Sequence, residues 1–303
     1  MRGGYMNDYD PQNLSLAISI LVGNVEGSDK ILSELTVIQR DFISMQKMLL
    51  DGEISQAEVL SEELLRRARS SSERDIEIEI RVRIERALLS IENNAKSGQE
   101  LRWCVDRLKA IMPGSSLHGV ALLNLAAWHS NNGEIMMSMA IHSEISKASK
   151  HPDEIRALSR LEVSRILVSI SDFDPAMRHL WGAREIFIES NLETEALVTS
   201  LEWLDLALDE VDHSAPRMAH RIEKASPRES PGQSWVASNP EDVIEVVEYI
   251  IPHLSKDVSG TFRTDLGLIF DASEILSKPE WIEFLEEKRS EIQDDRILDL
   301  LQS

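Results

Sequence analysis

The sequence is poor in the residues that make sharp turns, cross-links and membrane spans. It holds one cysteine, Cys104, so no intrachain disulfide can form and a reducing compartment is expected. Its 13 glycines and 10 prolines are few for 303 residues, fewer than the many tight turns of an all-β sandwich require. Aromatic residues make up only 5%, which suits a core of Leu, Ile, Ala and Met. Positive charge is short: 32 Lys and Arg face 53 Asp and Glu, a net charge of −21. A nucleic-acid binder gains affinity by neutralising phosphates, whereas this surface repels DNA, RNA and anionic lipid on average. The balance fits a soluble chain or one with basic partners. No apolar stretch approaches the roughly 20 residues that span a bilayer. The run Leu14 to Val22 follows Asp8 and Asp10 with only Arg2 basic before it. It reads as a first helix between Asp10-Pro11 and Gly23, not as a signal peptide. A cytoplasmic location is the expectation.

What the chain does have is helical periodicity. Ile31, Leu32, Leu35, Ile38, Phe42, Met45 and Leu49 recur at helical spacing, so a helix is expected from Asp29, capped by Ser28, to Leu50. A second is expected over 53–69, with Ile54, Ala57, Leu60, Leu64 and Ala68 on one face. Residues 75–86 (DIEIEIRVRIER) are ambiguous: they alternate apolar and charged like a half-buried strand. Yet Ile76, Ile80, Ile84, Ala87 and Ile91 form a helical stripe, and Glu77–Arg81 and Glu79–Arg83 are well-ordered i,i+4 pairs. A lone strand is not stable, so helix over 75–94 is the preferred reading. Further helices are expected over 98–112, 118–130, 134–149, 153–170, 174–190, 192–211 and 216–225, separated by short breakers such as Pro113-Gly114-Ser115 and Asn131-Asn132-Gly133. Residues 226–239 (SPRESPGQSWVASN) read as a linker, with Trp235 free to dock on a neighbouring helix. After it, Asn239-Pro240-Glu241-Asp242 is a helix start. That helix should end or kink at Pro252, and two more should cover 262–276 and 279–301.

Three of the second helices share a pattern: GEISQAEVLSEELL from Gly52, GEIMMSMAIHSEIS from Gly133 and SDFDPAMRHLWGARE from Ser171. Each has a small residue five after the turn (Ala57, Ser138, Ala176) and an apolar residue seven further on (Leu64, Ile145, Ala183). A weaker copy after Gly98 places Cys104 and Ile111 at the same points, and a fifth begins near Glu195. In the helix before Gly133, Leu122, Leu125, Ala126 and His129 follow a large-large-small-large order. This resembles the tetratricopeptide repeat, in which a small residue lets two helices approach and a turn residue with left-handed freedom joins them. The copies are spaced about 47, 34 and 38 residues apart, against a norm of 34, over residues 29–225.

The resemblance implies an all-α fold, an α-solenoid of antiparallel helix pairs over 1–225 with an N-terminal capping helix, followed by a C-terminal three-helix segment over 240–303. It implies a non-catalytic scaffold or adaptor whose first helices line a groove for a peptide or protein. The groove positions carried over are Gln39, Phe42, Gln46 and Leu49; Arg86, Leu89, Asn93 and Lys96; Val120, Leu123, Ala127 and Ser130; Leu158, Leu161, Arg165 and Val168; and Glu195, Val198, Glu202 and Asp205. Among them Gln46, Arg86, Asn93, Lys96, Leu123, Leu161, Arg165 and Glu202 are the expected binding residues, with Arg86, Lys96 and Arg165 set to hold an acidic group. The alternative is a regulator in which the array senses a ligand and the C-terminal helices signal or dimerise. No enzyme, metal or cofactor is expected: the sequence shows no Gly-rich phosphate loop, no His-Glu-x-x-His and no cysteine pair. His129 and His142 would approach within one helix pair but lack a third ligand. Met136, Met137 and Met139 are expected to pack in the core, and the acidic residues of the last helix to face solvent.

Overall fold

The computed structural model describes residues 34–89, 94–146, 148–208, 240–254, 267–292, 298–299 and 301. Among these residues there are twelve helices and no strand. They fall into two compact units, Met1–Ile111 and Met112–Ser303. The expected helix at 216–225, the 226–239 linker with Trp235, and the N-terminal run 14–22 lie outside the described residues.

The first unit holds α1 (Val37–Leu50), α2 (Ile54–Ala68), α3 (Ile76–Leu89) and α4 (Asn94–Ile111), each packed on the next, with α1 also touching α3. The run expected as one helix from Asp29 is interrupted at Leu35-Thr36, and a capping box restarts it. Thr36 Oγ1 accepts from the Gln39 N–H, and Gln39 Oε1 accepts from the Thr36 N–H at 2.9 Å. Asp75 opens α3 by accepting from the backbone N–H groups of Glu77 and Ile78 at 3.1 and 3.0 Å.

Helix α3 resolves the ambiguous segment and explains why it looked like a strand. On a helix, residues two apart lie about 200° apart and residues four apart nearly align. Ile78 and Val82 therefore share one face, which enters the core of α1 and α2. Ile80 and Ile84 share the opposite face and are also buried, with the Cys104 thiol of α4 lying against the Ile80 carbonyl at 3.9 Å. The charges occupy the two flanks between, where Glu77–Arg81 (2.8 Å) and Glu79–Arg83 (3.1 Å) form the expected pairs. Arg83 also pairs with Glu100 and lies 4.1 Å from the centre of the Trp103 ring. A helix buried on two sides thus carries a period-two pattern.

The second unit holds α5 (Ser116–Asn131), α6 (Ile135–Glu144), α7 (Asp153–Ser169), α8 (Phe173–Glu189), α9 (Glu193–Leu208), α10 (Pro240–Leu254), α11 (Leu268–Leu276) and α12 (Glu280–Glu287). Helices α5 to α9 pack in sequence order, and α9 then packs on α10 and α11. One core runs from Ala157 through Trp181, Trp203 and Val247 to Leu301, so the C-terminal helices share the interior of α7 to α9.

Five turns between helices close identically. After α1, α5, α7, α8 and α11 a residue with positive φ (Gly52, Gly133, Ser171, Asn191, Ser277) is followed by one whose N–H reaches five residues back, as in Glu134 to the His129 carbonyl at 2.9 Å. This is the Schellman arrangement, which satisfies carbonyls that a helix end leaves open. Glycine holds the left-handed position twice; Ser171 (φ 61), Asn191 (φ 56) and Ser277 hold it with a side chain. The small residues expected where helices touch, Ala57, Cys104, Ser138 and Ala176, are all fully buried. Leu64, Ile145 and Ala183 are buried as expected, but Ile111 is 38% exposed.

Several expected ends differ. Helix α6 stops at Glu144 instead of 149, because Ser146 and Ser149 bond to each other's backbone and so compete with the helical ladder. Pro252 sits inside α10, which continues to Leu254. The last helix, expected over 279–301, stops at Glu287. Residues 286–291 contain no apolar side chain, so nothing holds a further turn against the core.

Candidate binding faces

Each unit carries part of the expected groove. In the first, Gln39 and Phe42 are buried: Gln39 serves the capping box and Phe42 the core, so neither presents a binding surface. Gln46 and Leu49 are half-buried on α1, and Leu89 and Lys96 are exposed. Arg86 donates to Ser61 Oγ at 2.8 Å and lies 3.7 Å from Glu62, both on α2. Asn93 lies outside the described residues.

In the second unit Val120 and Ala127 are exposed, and Leu123, Ser130, Leu158 and Val168 are half-buried. Leu161 is only 6% exposed and belongs to the core, which removes it from the groove. Arg165 on α7 donates to Glu202 on α9 through Nη2 and Nε, at 2.7 and 3.3 Å, and to Glu162 through Nη1 at 2.6 Å. The structure therefore brings together two expected groove residues 37 positions apart, on the first helices of successive pairs. It also shows that Arg86 and Arg165 are already engaged by the chain's own carboxylates. A ligand carboxylate would have to displace these partners. Met136 and Met137, expected in the core, are 80% and 45% exposed, whereas Met139 is half-buried against Val163, Leu167 and Ala176, and Ser138, Ile141 and His142 turn inward.

No family model matches the chain, and no curated protein or solved structure does so either.

Two features were not visible in the sequence. Arg184 on α8 is 3% exposed. It donates to Ser200 Oγ on α9 at 3.2 Å and to Glu245 on α10 at 3.1 Å, and lies over the rings of Trp181 and Tyr249 at 5.0 and 5.3 Å. A single arginine within WGAREIF is the only signal the sequence offers, and its partners are 16 and 61 residues away.

The other feature is a set of buried imidazoles. His118 accepts from the Gly114 N–H at 3.2 Å and meets His151 at 3.2 Å, the two rings stacked 5.1 Å apart. His129 bonds to Glu134, and His142 to Ser159 Oγ at 3.0 Å. Burial, with the nearby His179, pushes the His142 ring down to about 4, so it is neutral near pH 7. Among the described residues no three metal-ligating side chains converge.

Proposed function

We propose that the chain is a non-catalytic helical scaffold that binds a peptide or protein along the exposed side of its first helices. The observation that carries this reading is the meeting of Arg165 and Glu202, because successive first helices must present their groove positions side by side in such an array. The repeated turns and the buried small residues at Ala57, Ser138 and Ala176 support the same architecture. The residues Val120, Leu123, Ala127 and Leu158 are apolar and exposed or partly exposed, as a surface for a docked helix or extended segment requires.

The test is capture of partners by wild type and by a Leu123→Asp/Ala127→Glu variant, with circular dichroism verifying the fold. A defined partner lost from the variant supports the reading. Equal retention overturns these residue assignments.

The regulatory alternative is favoured by one observation, the Arg184–Glu245 link that ties α10 to the repeat helices. Sedimentation of the full chain, as wild type and as Glu283→Lys/Glu287→Lys at exposed positions of α12, separates the two. Self-association lost in the variant favours regulation, and a monomer in both favours the plain scaffold.

A further inference from the structure

Away from the repeat faces, α10 and α12 enclose a cleft of about 280 Å³ lined by Glu248, Ile251, Pro252, Glu280, Trp281 and Phe284. Its floor is apolar: Ile251 and Trp281 are each 5% exposed and Phe284 is half-buried. Glu248 and Glu280 stand exposed among the lining residues. The volume falls just below the roughly 300–1,000 Å³ of sites for whole small molecules, and matches a single long side chain better.

The two helices that line the cleft carry charged residues of one sign. Helix α10 carries Glu241, Asp242, Glu245 and Glu248 and no lysine or arginine; α12 carries Glu280, Glu283, Glu286 and Glu287 and again neither. The ammonium of Lys278 lies 3.2 Å from Glu280, with both side chains substantially exposed. An exposed pair of this kind contributes little, so an incoming cation could replace it. The backbone N–H of Glu280, and then Lys278, hold the Glu280 carboxyl below the usual range, keeping it ionised at neutral pH.

We propose that this cleft binds an arginine side chain from a basic segment of a protein partner. The aliphatic stem lies on Ile251 and Pro252, the guanidinium stacks against Trp281 or Phe284, and Glu248 and Glu280 accept its hydrogen bonds. An apolar floor beside carboxylates is what a long cationic side chain needs, since its stem seeks burial and its head does not. Arginine is preferred to lysine because its planar head stacks on rings and offers several donors at once, and it is weakly hydrated. The site is separate from the repeat faces, so it stands or falls independently of the groove reading.

The experiment uses the full chain and follows the Trp281 indole N–H by NMR, assigned through Trp281→Phe. The probe is the capped tripeptide Ala-Arg-Ala, with the citrulline and lysine peptides as controls. The expected result is a saturable shift with arginine, at least tenfold weaker with citrulline, weaker with lysine, and reduced by added salt. The Glu248→Gln/Glu280→Gln variant, whose exposed substitutions should leave the circular dichroism unchanged, should lose the response. The proposal is overturned if the indole does not respond, if citrulline matches arginine, or if the double variant binds as well as wild type. Leu123→Asp should leave this titration unchanged, so a failure here is distinguishable from a failure of the groove.

Discussion

Glu245→Ala should cost more than a surface substitution, because it strands a charge that is buried on the other side of the pair. Arg184 is 3% exposed, and Glu245 is the only carboxylate within salt-bridge distance of it among the described residues. A hydrogen bond to a charged group contributes about 1.5–3 kcal/mol, and removing one member of a buried pair costs about 3–5 kcal/mol. Glu245 itself is 39% exposed, which places the expected loss at the low end, about 3 kcal/mol. Arg184→Met keeps the stem's volume and leaves Ser200 satisfied through its bond to the Ala196 carbonyl at 2.7 Å. It should nevertheless lose the stacking on Trp181 and Tyr249, about 0.5–2 kcal/mol, as well as the charged bond. The double variant should cost much less than the two single losses added together, because no charge is then left buried. Urea denaturation followed by far-ultraviolet circular dichroism measures all three. The reasoning is refuted if Glu245→Ala costs under about 1 kcal/mol, or if the two substitutions simply add.

Other outcomes follow from turns, titration and thiol chemistry. Ser171→Gly and Asn191→Gly should each raise stability by about 0.5–1 kcal/mol in thermal unfolding, since both hold a left-handed backbone with a side chain. Gly133→Ala should lower it by about 1–2 kcal/mol, although a Cβ there would meet nothing within 4 Å; the cost is purely one of backbone conformation. His142 is held at about 4 in the folded chain against 6.5 ordinarily, so its contribution is complete above about pH 6.5 and is lost as pH falls toward 4. Burial lowers His151 and His179 in the same sense. Stability should therefore decline between pH 6.5 and 4, more gently in His142→Asn, as measured by urea midpoints across that range. Burial pushes the Cys104 thiol up to about 12, so it should resist iodoacetamide at pH 8 and react only on unfolding, as read by mass spectrometry.

Local signals carried much of the fold. Helical stripes placed most elements, and Gly52 and Gly133 marked turns because a left-handed backbone selects glycine. Ion pairs spaced four apart identified α3 despite its alternating residues. The failures arose where a longer-range fact decides. Leu161 sits at a groove position by spacing but faces inward, because α8 packs over that side of α7. Met136 and Met137 are apolar by type, yet lie on the outward flank of a ten-residue helix. The Thr36-Val37-Ile38-Gln39 restart was legible as a capping box but was masked by the continuous apolar stripe around it. For the expected groove residues, the repeat resemblance implied neighbouring faces for Arg165 and Glu202 but could not show that they neutralise each other.

The shared interior of α7 to α12 makes the stretch between Leu208 and Pro240 a covalent tether between two halves of one core. A protease cut there would not release a finished repeat array and a finished tail. Each fragment would carry an apolar surface made to face the other: Leu201, Leu204 and Ala207 on one side, Val243, Val247 and Ile250 on the other. Such fragments should remain associated after cleavage and re-form the fold when mixed. Either one expressed alone should aggregate. The natural place to divide the molecule is instead at Ile111, where the first compact unit ends.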